Sequence, residues 1–185
     1  MTRSRYIAQA GLIAAVYSVL TVGVSYLPFA MGWGLLQFRV SEAFTVIACF
    51  TPAAIPGLTL GSVIANALNP YAVWPISLLD VVFGSLGTAI GAIWMWRFRA
   101  NRPLALAGPV LANALIVPAY LPLILAGAGM YEVPLLGLSF EGAWLPMYLF
   151  GVVAIGISEA VVVYVGGGLV HLALGRVRAA SGRSS

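Results

Sequence analysis

The sequence contains very little charge. Charged residues make up 8% of its 185 residues, whereas a soluble domain carries about a quarter. Hydrophobic residues make up 62%, and the mean hydropathy is +1.02. This composition excludes a water-soluble globule, a disordered tail and a coiled coil. It predicts instead an all-α integral membrane protein, because about 20 apolar residues form each membrane-spanning helix.

Several reactive residue types are also scarce. Lysine is absent, and the chain has one cysteine and one histidine. The single Cys49 cannot form an intramolecular disulfide, and we expect it to fill space within an apolar run. The patterns GxxxxGK[ST], HExxH and GxSxG are missing, so neither a phosphate-binding loop nor a zinc or serine hydrolase site is predicted. We therefore expect no cofactor and no metal.

Apolar runs and arginines together predict the topology. Broken at proline, glycine and arginine, the runs lie near 6–27, 39–52, 54–69, 72–96, 104–126 and 143–173. The second and third are short and could form one kinked helix, which would leave five crossings. Six crossings agree with the positive-inside rule, because three basic clusters then face the cytoplasm. These are Arg3 and Arg5; Arg97, Arg99 and Arg102; and Arg176, Arg178 and Arg183.

We therefore predict a six-helix bundle, a single transmembrane domain over residues 1–185 with both termini cytoplasmic. It would be multi-pass in the cell (plasma) membrane and surrounded by lipid. The first run is too long for a signal peptide and is expected to remain as a helix. The arginines cluster at the predicted cytoplasmic ends of the helices and do not form a phosphate-binding stripe, so no nucleic-acid partner is predicted.

Ionisable residues within spanning helices are functional candidates, because each costs about 2.5–3.5 kcal/mol to insert. Four are present: Arg39, Glu42, Asp80 and Glu159. Their depths place the first three, with the amides of Gln37 and Asn66, in one layer of the outer half. Arg39 and Glu42 share a helix face and could form a structural ion pair. Alternatively, they belong to a polar pocket for a planar, hydrogen-bonding heterocycle.

Other candidates complete the predicted substrate site. Asp80 has no cation near it in sequence, so it is either protonated and inert or faces a cationic or N–H-rich ligand. Trp144 and Tyr148 begin the last helix at the same level. The connectors 28–38 and 127–142 are long and apolar, and we interpret them either as lids over the site or as segments that partly enter the membrane interface.

Two further features lie outside this layer. Glu159 and Asn113 have similar depths, which predicts a hydrogen bond between helices, with a coupling or proton-path role as the alternative. In the first helix, Ala10, Ala14 and Ser18 form a ladder of small residues. Such ladders let helices approach closely, either within a bundle or against a partner protein.

Four stretches resemble the QueT-type queuosine-precursor transporters, which are substrate-binding S components of energy-coupling factor (ECF) transporters. They are QFRVSEA (37–43), FTPAAIPGLTLGSVIANAL (50–68), LLDVVFGSLGTAIGA (78–92) and ISEAVVVYVGG (157–167). The resemblance implies a six-helix S-component fold, a deazaguanine substrate, and as partners a transmembrane coupling protein and a cytosolic ATPase pair. The family's AxxxA motif, which meets the coupling protein, is matched by Ala10 and Ala14.

Three other functions remain as hypotheses. The same fold could bind another vitamin or an aromatic amino acid. A small intramembrane enzyme could use Glu42 or Asp80 as a general base and would then turn over without an ATPase. A channel is disfavoured because the polar residues form one layer rather than a full-length path.

Overall fold

The computed structural model describes residues 2–26, 38–70, 72–127, 132–133, 138–139 and 144–181. In these ranges the chain forms α1 (Arg3–Ser25), a 3₁₀ helix (Val40–Cys49), α2 (Ala54–Ala67), α3 (Ser85–Arg97), α4 (Arg102–Gly127), α5 (Trp144–Ala160) and α6 (Gly167–Ser181). A π-helical segment, Asp80–Gly84, precedes α3, and a second one, Val161–Gly166, joins α5 to α6. The strands β1 (Glu132–Val133) and β2 (Leu138–Ser139) form a short antiparallel pair.

Within the described ranges, three helices are long and apolar enough to cross a membrane, namely Arg3–Ser25, Arg102–Gly127 and the continuous helix Trp144–Val177. Large hydrophobic side chains such as Leu12, Leu115 and Leu169 are exposed on their outer faces. That pattern suits contact with lipid, because in water the same side chains would be buried. The molecule is a multi-pass membrane protein.

Small residues allow α1 and α2 to pack closely. A Cβ added at Gly57 would lie 2.8 Å from the Ala10 carbonyl oxygen, and one at Gly61 would lie 2.9 Å from that of Ala14. Ala14 and Ser18 are buried. The ladder predicted on the first helix therefore serves α1–α2 packing within this chain.

The second predicted helix has a different winding from the α-helix expected at 39–52. Residues Val40–Cys49 form a 3₁₀ helix, although such helices rarely exceed four residues. The Thr45 hydroxyl donates to the Glu42 carbonyl oxygen at 2.6 Å, which gives that acceptor a partner other than a backbone N–H. Several β-branched residues in the segment also disfavour α-helix.

The predicted start of the fourth helix, at residue 72, is wrong. Turns occupy 74–77, and the π-helical segment begins at Asp80. Pro75 explains the delay, because a residue that precedes proline is disfavoured in the α conformation. The Ser77 hydroxyl also accepts from the Val73 N–H at 2.7 Å, which stabilises the turn. Asp80 consequently lies at the beginning of its helix and not deep within it.

Candidate functional site

A buried ion pair joins two elements that are distant in sequence. The Arg39 Nη2 atom lies 3.5 Å from Asp80 Oδ2, and the two side chains are 8% and 4% exposed. Arg39 precedes the 3₁₀ helix and Asp80 opens the π-helical segment. The cation that the sequence did not provide for Asp80 is therefore Arg39. At this burial each charge needs its partner, because an uncompensated buried charge is strongly destabilising.

Asn66, near the end of α2, bridges both members of this pair. Its Oδ1 accepts from Arg39 Nη2 at 3.3 Å, and its Nδ2 donates to the Asp80 carbonyl oxygen at 2.9 Å. The amide thus uses its acceptor and its donor on neighbouring elements. The predicted convergence of Arg39, Asn66 and Asp80 is present in the structure.

Tyr120 of α4 holds the other oxygen of Asp80. Its hydroxyl donates to Asp80 Oδ1 at 2.6 Å. The contact depends on Gly84, since a Cβ there would lie 2.7 Å from Asp80 Oδ1 and 2.9 Å from the Tyr120 hydroxyl. No side chain larger than hydrogen fits at Gly84 without displacing this hydrogen bond.

Glu42 is held in the same manner by α1. The Tyr17 hydroxyl donates to Glu42 Oε1, and both residues are buried. Nearby, Thr21 donates to the Ser41 hydroxyl at 2.6 Å. Two buried carboxylate oxygens, Glu42 Oε2 and Asp80 Oδ2, have no hydrogen-bond partner among the described residues. Unpartnered buried polar atoms are rare in native proteins and require an explanation.

We call Tyr17, Arg39, Glu42, Asn66, Asp80 and Tyr120 the polar cluster. Its members come from five elements: they lie in the C-terminal halves of α1 and α4, at the end of α2, and where the 3₁₀ helix and the π-helical segment begin. One guanidinium faces two carboxylates, which leaves one formal negative charge in excess. Such a site can accept hydrogen bonds from N–H groups and donate them to a carbonyl. No group of three metal-ligating residues occurs in the described ranges.

Other predicted residues lie elsewhere. Trp144 and Tyr148 stack on each other with ring centroids 5.2 Å apart, and Trp144 is 46% exposed and donates to the Ala119 carbonyl oxygen. Within the described part of the chain, no hydrogen bond, ion pair or ring contact joins them to the polar cluster. Gln37 lies outside the described residues, as do most of the connectors 28–38 and 127–142.

The predicted hydrogen bond between Asn113 and Glu159 is confirmed. Asn113 Nδ2 donates to Glu159 Oε1 at 2.8 Å, and both side chains are buried. This contact joins α4 to α5.

Tyr17 and Tyr120 were not predicted from the sequence, where the only aromatic candidates were Trp144 and Tyr148. The available signal was their position inside apolar runs, because a buried tyrosine hydroxyl usually finds a hydrogen-bond partner.

Fold and site together define a multi-pass membrane protein with a buried polar site where five of its elements meet. A model of the family described as "QueT transporter" matches residues 7–176. The chain belongs to the QueT transporter family.

One curated relative is the "Queuosine precursor transporter QueT" of Lactococcus lactis subsp. cremoris (strain MG1363). It is 32% identical over 101 residues, which cover 51% of this chain and 54% of the relative. The match thus spans about half the length of that relative. No solved structure gives a match.

Proposed function

We propose that this chain is the substrate-binding S component of an ECF-type importer and captures a deazaguanine precursor of queuosine at the polar cluster. A transmembrane coupling protein and a cytosolic ATPase pair would drive uptake. In this proposal the chain crosses the membrane six times with both termini cytoplasmic, and the cluster lies in the outer half. The observation that carries the proposal is a buried Arg39–Asp80 ion pair with two carboxylate oxygens that accept no hydrogen bond from the described residues, in a member of a transporter family.

The chemistry of the cluster suits a guanine-like ring. The ring's amino and imino groups form an edge of N–H donors, which a carboxylate accepts well. Its carbonyl oxygen can accept from a guanidinium or an amide such as Arg39 or Asn66. Specificity would follow because a ligand without that edge leaves buried polar groups unpaired.

Ligand binding tests the pocket. Purified protein in detergent is titrated with 7-deazaguanine and its 7-aminomethyl derivative. We expect binding that Glu42→Ala and Asp80→Ala each weaken, while Glu159→Ala, a buried carboxylate outside the cluster, leaves the affinity unchanged. Unchanged affinity in the first two variants would contradict the assignment. Native mass spectrometry of the co-purified ligand distinguishes a deazaguanine from another vitamin or an aromatic amino acid.

Partner docking needs a test adapted to the packing of α1. Bulky residues at Ala10, Ala14 or Ser18 would separate α1 from α2, since this ladder faces inward. Gly11 and Ala15 lie beside the ladder and are exposed. If the coupling protein docks on α1, Gly11→Trp and Ala15→Trp should abolish co-purification of the coupling protein while ligand affinity is retained. Assembly that persists would place docking elsewhere.

A further inference from the structure

Tyrosine hydroxyls hold both carboxylates of the polar cluster in the same way. We propose that Tyr17 and Tyr120 are positioning residues that determine which oxygen of Glu42 and of Asp80 faces the ligand. This inference rests on the proposed function and extends it to the ligand's chemical class, a planar heterocycle that donates N–H groups at two separate places.

The Asp80 carboxylate has one oxygen engaged and one available. Tyr120, itself 5% exposed, donates to Oδ1 at 2.6 Å. Oδ2 lies 3.5 Å from Arg39 Nη2, whereas charge-assisted hydrogen bonds measure about 2.7–2.9 Å. The guanidinium thus balances the charge and leaves the hydrogen-bonding capacity of Oδ2 unused.

The Glu42 carboxylate, on the 3₁₀ helix that follows Arg39, has a similar arrangement. Tyr17, which is 1% exposed, donates to Oε1. Oε2 is buried and has no hydrogen-bond partner among the described residues. A carboxylate in water accepts several hydrogen bonds, so this oxygen lost its partners when the chain folded.

The two available oxygens, Asp80 Oδ2 and Glu42 Oε2, belong to different elements, so the ligand must donate a hydrogen bond to each of them. A single N–H edge can satisfy one of them, and a second amine or ring N–H is needed for the other. The tyrosines make this requirement specific, because the hydrogen bond from each tyrosine hydroxyl prevents the carboxylate from rotating and keeps the hydrogen-bonded oxygen away from the ligand. A heterocycle that carries an amino edge and a separate aminomethyl group meets the requirement.

Double-mutant cycles test the two assignments independently. Tyr17→Phe and Tyr120→Phe are each combined with Glu42→Ala and with Asp80→Ala in the full-length chain, and calorimetry measures affinity for 7-aminomethyl-7-deazaguanine and 7-deazaguanine. Each Phe variant should weaken binding about tenfold, as loss of a hydrogen bond to a charged group does. Tyr120→Phe should have no further effect in the Asp80→Ala background, where its acceptor is gone, but its full effect in the Glu42→Ala background. Tyr17→Phe should show the converse.

The controls separate positioning from general packing. Tyr164→Phe removes a hydroxyl that donates to the Pro103 carbonyl oxygen, distant in the fold from the cluster, and should leave both affinities unchanged. Effects of the Phe substitutions that are additive in all four combinations would overturn the proposal. If a Phe variant fails to fold, 4-aminophenylalanine at the same position keeps the shape with a weaker donor than the phenol and should weaken binding by a smaller factor with the same pairwise pattern. An unchanged affinity there would also overturn it.

Failure of the proposed function gives a different result. In that case the unaltered chain binds neither deazaguanine, and this ligand class is overturned together with the substrate. If the unaltered chain binds and the cycles lack the pairwise pattern, only the role of the tyrosines is wrong.

Discussion

Two buried carboxylate sites in this molecule differ in how they are satisfied. Glu159 contacts one neighbour, Asn113, through a hydrogen bond between adjacent helices. Asp80 contacts Arg39 and Tyr120, and its backbone carbonyl accepts from Asn66. Only the second site combines a cation with carboxylate oxygens that lack hydrogen-bond partners among the described residues.

The difference follows from how many elements meet at each site. At Glu159 two neighbouring helices bring one pair of residues together, and one amide is sufficient for one carboxyl group. At the polar cluster five elements converge, with a 3₁₀ helix and a π-helical segment contributing Glu42 and Asp80. A convergent, incompletely satisfied site suits a ligand, whereas a satisfied pair suits packing.

The largest expected effect tests the charge balance of the polar cluster. Arg39→Ala leaves Asp80 as a buried carboxylate without its cation, and we expect the free energy of unfolding in detergent to fall by about 3–5 kcal/mol. Denaturant titration followed by tryptophan fluorescence measures it. Adding Asp80→Asn should recover most of the loss.

The matched control is Arg97→Ala, which removes an exposed arginine that lies over the Phe98 ring. That change should cost about 1 kcal/mol or less. An Arg39→Ala variant as stable as Arg97→Ala would mean that the buried pair does not stabilise the bundle.

A medium effect tests the close packing around Asp80. Gly84→Ala introduces a Cβ 2.7 Å from Asp80 Oδ1, and overpacking of this kind costs about 1–3 kcal/mol. Ligand affinity should fall as well, because Tyr120 can no longer hold that oxygen. Gly11→Ala is the control, since no atom lies within 4 Å of the added Cβ. A Gly84→Ala variant that retains both stability and affinity would contradict the described geometry.

The sequence predicted part of the convergence at the site. Apolar runs predicted the helical stretches, because hydropathy follows directly from composition. Depth along those runs grouped Arg39, Asn66 and Asp80, which contact one another in the structure, although the start of the fourth helix, and with it the depth of Asp80, was wrong. The Asn113–Glu159 contact was predicted for the same reason.

The partners inside the layer could not be predicted. Spacing along one helix suggested Glu42 as the ion-pair partner of Arg39, but the observed ion pair joins Arg39 to Asp80 on another element. The spacing of residues within one helix does not determine how that helix is rotated about its axis relative to its neighbours. Tyr17 and Tyr120 contribute to hydropathy as ordinary apolar-run residues, so their hydroxyl contacts were not visible. The 3₁₀ winding of Val40–Cys49 was not predicted either, although the hydrogen bond from the Thr45 hydroxyl to the Glu42 carbonyl oxygen is a local contact within that helix.

The smallest expected effect concerns the Asn113–Glu159 pair and tests whether it differs in function from the polar cluster. Glu159→Gln keeps an oxygen that accepts from Asn113 Nδ2, so the free energy of unfolding should change by less than about 1 kcal/mol and ligand affinity should not change. Glu159→Leu removes the acceptor and should cost about 1–3 kcal/mol more, because the buried amide loses its partner. In the cluster, the same conservative change, Glu42→Gln, should weaken ligand binding strongly. If Glu159→Gln weakens ligand binding as much as Glu42→Gln does, then both carboxylates serve the ligand, and the distinction between a packing site and a binding site is wrong.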